Sequence, residues 1–251
     1  MRALRLLPRL VRDRLPATGI AAAIILVLLL PALAANRSMF AEGLMAGQEP
    51  GPAALAPFIA LVMLLMIPWL AEGLASAGRA DGGEAFTASR PGPRIAVPMA
   101  RWLAGLACSA GLAVLVATVA DAVWILGLPD PATDLRPGSL LHLPGAAAGG
   151  VVLWAWAGSV MLPLSASLRR AEAPLGMVLL VLPLAVGGMV AGTDHPLGIL
   201  ARLPSARTIG AARIAMLGGW PEPSALLAVG AGGAVALAVG LLLVTRREVG
   251  A

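Results

Sequence analysis

Six apolar runs, each about as long as the roughly 20 residues that a helix needs to cross a bilayer, decide what this chain can fold into. They are Ala17–Ala35, Ala54–Ala75, Trp102–Leu128, Ala146–Leu168, Pro174–Ala191 and Ser224–Val244. Lipid offers no hydrogen-bond partner to a peptide group, so a run of this length satisfies its backbone as a helix. Transmembrane strands would need only about ten residues each, with alternating polarity. The expected fold is therefore all-α, a polytopic membrane protein with six transmembrane helices. A mean hydropathy of +0.89 and a 12% share of charged residues agree with it, since a soluble domain carries about 25% charged residues.

The positive charges then orient the spans. All eighteen basic residues are Arg and none is Lys, which together with abundant Ala, Gly and Pro points to a GC-rich bacterial genome. Basic residues gather on the cytosolic side of short loops. With a cytosolic N-terminus, Arg2 to Arg14, Arg79 to Arg101, the pair Arg169-Arg170 and the pair Arg246-Arg247 all face inward, which is thirteen of the eighteen. Both termini are then cytosolic, and the expected location is a bacterial cytoplasmic (inner) membrane. The pI of 11.3 would suggest nucleic acid for a soluble chain, but here the Arg flank apolar spans, so topology explains them and no nucleic-acid partner is expected.

Residues 1 to 15 place Arg2, Arg5, Arg9 and Arg12 at helical spacing among Leu4, Leu7, Leu10, Val11 and Leu15. That pattern predicts an amphipathic helix on an anionic membrane face, with lipid as its partner and with Pro16 opening the first span. The rival template is a cleavable signal peptide, for which the basic start, the apolar core and the small-residue pattern Ala32-Leu33-Ala34 also fit. The length and amphipathic character of the basic region favour the helix. External loops are expected at 36–53 and 129–144, and a tight antiparallel hairpin joins the fourth and fifth spans at Arg169-Arg170. The segment 192–223 mixes Pro196, Pro204 and Pro221 with Arg202, Arg207 and Arg213. It is too polar for a span and too apolar for a free loop, so it reads as short re-entrant or interfacial helices.

Little chemistry of an enzyme is present. There is no GxxxxGK[ST], no HExxH, no GxSxG and no CxxC in the sequence. Cys108 is the single cysteine, so no disulfide framework or metal cluster is expected. His142 and His195 fall in loops beside prolines and read as solvated. Glu72, near the inner end of its span, is expected to snorkel or to pair with an Arg there. Asp121 is the one carboxylate well inside a span, which makes it a candidate for a substrate pathway. The competing reading makes it wet, or hydrogen-bonded to a neighbouring helix, because it lies within two turns of the outer end. Pro57, Pro68, Pro163 and Pro183 can kink their spans, and Gly187-Gly188, Gly230 and Gly232-Gly233 permit close helix approach.

The longest polar break, AGRADGGEAFTASRPGPRIAVPMAR at 77–101, reads as a cytosolic contact surface. Glu84 to Ser89 are small and helix-permissive, and Pro91 and Pro93 close them off near Arg90. From Glu84 to Gly105 this segment resembles the cytosolic loop of type-2 ABC exporter permeases. There an acidic residue opens a short apolar helix and a Ser-Arg-Pro-x-x-Arg turn leads into the third span, as Ser89-Arg90-Pro91-Gly92-Pro93-Arg94 does here. Glu84 stands one residue further from that turn than in those permeases, and the acidic run before it is reduced to Asp81-Gly82-Gly83. The basic N-terminal helix, six spans, inner termini and re-entrant helices before the last span fit the same plan.

The resemblance implies that Glu84, Phe86, Ser89, Arg90, Pro91 and Arg94 form a coupling helix and turn against a separate ABC ATPase subunit. It implies two ATPase copies, and a second permease copy or paralogue. ATP and magnesium would belong to that partner, leaving no cofactor in this chain and no ATPase site of its own. The expected activity is export of an amphiphilic drug, peptide or lipid from the cytoplasm or inner leaflet. An importer is disfavoured, because a Glu-Ala-Ala stretch followed by Gly does not stand out in the loop. The alternative from another class is a membrane-embedded enzyme or assembly factor that acts without an ATPase. Topology is open to a direct check: a fluorescent-protein fusion after Ala251 should fluoresce, because the C-terminus is expected in the cytosol, whereas an alkaline phosphatase fusion there should be inactive.

Overall fold

A computed structural model of the chain describes residues 2–43, 51–72, 74, 95–128, 135, 138–168, 171–180 and 204–247. The elements in order are α1 (Arg2–Ala41), a 3-10 turn (Pro52–Leu55) leading into α2 (Ala56–Ala71), α3 (Ala96–Leu126), α4 (Leu143–Ser167), α5 (Pro204–Met216) and α6 (Pro223–Arg247). A helical stretch at 172–180 lies between α4 and α5. Among the described residues five helices are long and apolar enough to cross a membrane, so this is a multi-pass helical membrane protein. The fifth of the six spans expected from sequence, Pro174–Ala191, is described only as far as Leu180. The residues of the coupling reading, Glu84, Phe86, Ser89, Arg90, Pro91 and Arg94, lie outside the described residues, as do 181–203, with Pro183, Gly187, Gly188, His195 and Arg202.

The middle of the bundle is α4, which packs against α2, α3, α5 and α6, while α1 packs against α3 and α2. The composition of α4 explains its place. Gly145, Ala146, Gly149, Gly150, Ala157 and Gly158 are all buried, and residues with little or no side chain let neighbouring backbones come close, where dispersion contacts and interhelical bonds accumulate. Against α3, the fully buried Trp154 lays its ring over Gly105, and its Nε1 donates to Trp102 O at 3.0 Å. One turn away, Ser109 Oγ donates to Gly150 O at 2.9 Å. Against α6, Gly233 lies over the Ala155 carbonyl and Gly240 faces Leu162 and Pro163. Against α5, Gly145 meets the Ala215 carbonyl and Gly149 that of Ala212. Gly230, in contrast, has no neighbour within 4 Å.

With 13 residues, α5 spans about 20 Å, too little to cross the hydrocarbon. Pro204 at its start is beside Gly232 of α6, about 14 Å along that helix from Pro223, so α5 runs back beside α6 toward the turn at 217–222. The hairpin expected after α4 is also visible in part, since Gly176 packs against Met161.

One boundary differs from the sequence reading. Residues 2–15 are helical, yet they are not a separate element: α1 continues through Pro8, Pro16 and Pro31 to Ala41 as one helix of 40 residues. Proline removes one intrahelical bond, but a complete break inside an apolar run would leave several peptide groups without partners in lipid. Continuity costs less.

The α3–α4 contact yields a paired test. A methyl added at Gly105 would overlap the Trp154 ring, whereas Gly111 on the same helix has nothing within 4 Å. Gly105→Ala should therefore destabilise the purified protein by about 2 kcal/mol, while Gly111→Ala should be neutral or stabilising by up to about 1 kcal/mol; thermal unfolding in mild detergent reads both.

Candidate functional site

Polar groups collect at the two ends of the bundle. At the end expected to face outward, residues 138–142 run between the helices and bond to three of them. The Ala53 N–H donates to Ser139 O at 3.0 Å, the Leu141 N–H donates to Asp121 Oδ1 at 3.1 Å, and the His142 N–H donates to Met216 O at 2.9 Å. Beside them the buried Asn36, near the end of α1, accepts from the Gly51 N–H at 3.1 Å. Gly51 has φ +135° and lies against Ser139, a conformation and a clearance that both require glycine. Thus two adjoining segments, 51–55 and 138–142, draw together α1, α2, α3 and α5.

Among the described residues, Asp121 is the one acid that bonds within that knot. It is 9% exposed on α3, and its carboxylate accepts the Leu141 N–H. Removing a carboxylate from water is costly unless a donor meets it, and this main-chain donor is the compensation. The bond runs to the loop before α4 and not, as one sequence reading has it, to a neighbouring helix. A role in a substrate pathway does not follow from it.

His142 is exposed, as a loop histidine should be, but it is not merely solvated. It precedes α4 with φ −84° and ψ 105°, and its Nδ1 accepts the Gly145 N–H at 3.0 Å. It therefore caps α4, satisfying one of the four amides that every helix start leaves without partners. The ring rests on Gly218, which has φ +77° and ends α5. There the Gly218 N–H donates to Ala215 O at 2.8 Å and the Gly219 N–H to Ile214 O at 2.9 Å, a Schellman termination. Nearby, the Arg37 guanidinium stands beside Gly127 at the end of α3, where a cation suits the negative end of the helix dipole.

At the opposite end, Arg14 Nη1 of α1 donates to Leu70 O, and Arg101 Nη1 of α3 donates to Leu74 O at 3.4 Å. Leu70 O is one of the last carbonyls of α2, which have no partner within the helix. Arg14 thus stabilises the C-terminal end of α2, and Arg101 holds the turn three residues beyond it. The Arg101 bond also ties together the two ends of the 75–94 segment. Glu72, at the C-cap of α2, is exposed. Cys108 is buried, and among the described residues no group of three or more His, Cys, Asp or Glu could hold a metal.

Sequence reasoning singled out Asp121 but passed over Asn36, Ser139 and Arg14, and it left His142 in solvent. For His142 a local signal existed: Pro144 stands at the second helical position, where proline favours a helix start. Comparison with family models, with curated proteins and with solved structures found no match.

Asp121→Ala should leave the buried Leu141 N–H without its acceptor and cost about 1–3 kcal/mol. Asp121→Asn keeps an amide oxygen in the same place and should cost less than half as much. Thermal unfolding of the two variants beside the parent protein separates a bonding role from a requirement for charge.

Proposed function

We propose that the chain is the permease subunit of a type-2 ABC exporter, moving an amphiphilic substrate outward through energy supplied by a separate ATPase. The observation that carries this reading is the segment Glu84 to Gly105, with its Ser89-Arg90-Pro91-Gly92-Pro93-Arg94 turn directly ahead of α3. The geometry on either side is compatible with a loop that receives a push. Its two ends are fastened by the Arg101 to Leu74 bond, and α3, which follows it, is seated against the central helix α4 through Trp154 and Ser109. A displacement applied to such a loop is delivered to α3 and through it to the middle of the bundle.

In this reading Glu84, Phe86, Ser89, Arg90, Pro91 and Arg94 form the ATPase contact, ATP and magnesium belong to the partner, and the chain works with a second permease in a bacterial cytoplasmic membrane. The short helix α5, lying back along α6, is the re-entrant element before the last span. Export requires two states of the bundle, and ATP binding in the partner supplies the differential affinity that shifts one into the other.

Purification of the full-length protein in mild detergent from its native host, with co-purifying chains identified by mass, tests the proposal. A stoichiometric subunit with a P-loop should accompany the parent protein and be lost when 84–94 is replaced by a Gly/Ser linker. Glu84→Ala with Arg94→Ala should uncouple ATP hydrolysis from transport while thermal unfolding stays unchanged. Recovery of the intact permease without any ATPase would overturn the reading.

A further inference from the structure

We propose that the face of α5 turned away from the bundle seats one phospholipid of the leaflet it lies in, with the lipid phosphate held between Arg207 and Arg213. The opposite face of the helix is packed, since Ser205, Thr208, Ala212 and Met216 are buried. On the outer face Gly210 is exposed, and a methyl added there would meet nothing within 4 Å. Arg207 and Arg213 each stand three residues from it, so they flank it about 60° to either side around the axis and about 4.5 Å to either end along it. The two arginines therefore border a strip of bare backbone.

Charge and depth name the occupant. No acid occurs in α5, and none in α2, α4 and α6, the helices packed on it. Glu222, just before α6, accepts from Ser224 Oγ at 3.4 Å. Among the described residues, neither Arg207 nor Arg213 has a hydrogen bond or an ion pair. Pro204 lies beside Gly232, about 14 Å along α6 from its start, so Arg207 falls within the roughly 15 Å of one leaflet's hydrocarbon. A guanidinium at that depth is costly unless an anion meets it. The anion that a bilayer holds within reach of a long side chain is the headgroup phosphate, which accepts two parallel N–H bonds from an arginine. The headgroup level is marked by the turn after α5: Trp220 is 93% exposed, and Leu217 and Leu227 are exposed beside it in sequence, an aromatic with apolar neighbours of the kind that settles at the membrane boundary. The site depends neither on the exporter reading nor on which leaflet α5 occupies.

Native mass spectrometry of the full-length protein, delipidated in mild detergent and titrated with dioleoyl phosphatidylglycerol, tests it. The parent protein should bind one molecule ahead of any others. Dioleoylglycerol, which lacks the phosphate, should not replace it, and inorganic phosphate in excess should not displace it. Arg207→Gln with Arg213→Gln should weaken that first binding roughly thirtyfold, and Gly210→Trp, which fills the open strip, should weaken it with both arginines in place. Arg246→Gln, which loses the same charge elsewhere, should keep it. Thermal unfolding in lipid-free detergent should be alike in all of these, while the rise that the lipid gives the parent protein should be lost from the double variant. Equal binding by the parent protein and the double variant would overturn the site. So would an equal loss in Arg246→Gln, equal binding of dioleoylglycerol, or displacement by inorganic phosphate. Asp130, Asp134 and Asp194 belong to stretches outside the described residues. Replacing all three by Asn should leave the affinity unchanged; a large gain would overturn the proposal, because an acid of the chain would then be what occupies the arginines. If the double variant does not fold, Arg213→Gln alone, at an exposed position, decides: it should weaken the first binding about fivefold.

Discussion

A peptide group in hydrocarbon has no partner but the protein, and the whole arrangement depends on that constraint. It favours an α1 that continues through three prolines rather than breaking. It also makes helix ends the expensive places, because each exposes carbonyls or amides that water would otherwise satisfy. Several polar side chains of this apolar chain are found at those ends: Arg14 at the last turn of α2 with Arg101 just beyond it, His142 at the start of α4, Arg37 beside the end of α3.

Between the ends, cohesion comes from the absence of side chains. Leucine on lipid and leucine on leucine are nearly equivalent, so apolar burial alone gives helices little reason to associate in a bilayer. The glycines of α4 and its neighbours change that balance by letting a carbonyl or a ring reach the facing backbone. Trp154 over Gly105 is the largest such contact, and the Ser109 to Gly150 bond adds a directional one beside it. A bundle held in this way has a preferred register, because displacement along the axis would drive Trp154 into residues that carry a Cβ.

Much of this was legible in the sequence, since the spans are set by apolar length and the apolar runs can be read directly. The boundaries moved where a local signal was underweighted. The third helix starts at Ala96 rather than Trp102 because Ala96 and Val97 can precede Pro98 within a first turn, and the fourth starts at Leu143 because His142 caps it. Pro16 was read as a boundary and proved to be interior, since the bilayer environment outweighs the local preference. The polar knot was hidden for another reason. Asp121 meets Leu141 twenty residues away, and Arg14 meets Leu70 fifty-six away, and no periodicity encodes such pairs. The residues of the Ser-Arg-Pro turn rest on the sequence alone.

The length of α1 has a consequence of its own. Forty helical residues extend about 60 Å, while the bilayer with its headgroups measures about 40–45 Å. A rod that exceeds its medium either leans or protrudes, and how far it leans depends on the thickness of the membrane around it. Because α1 lies against α3 and α2, its inclination is shared with them, which makes the bundle responsive to the acyl-chain length of its host lipids.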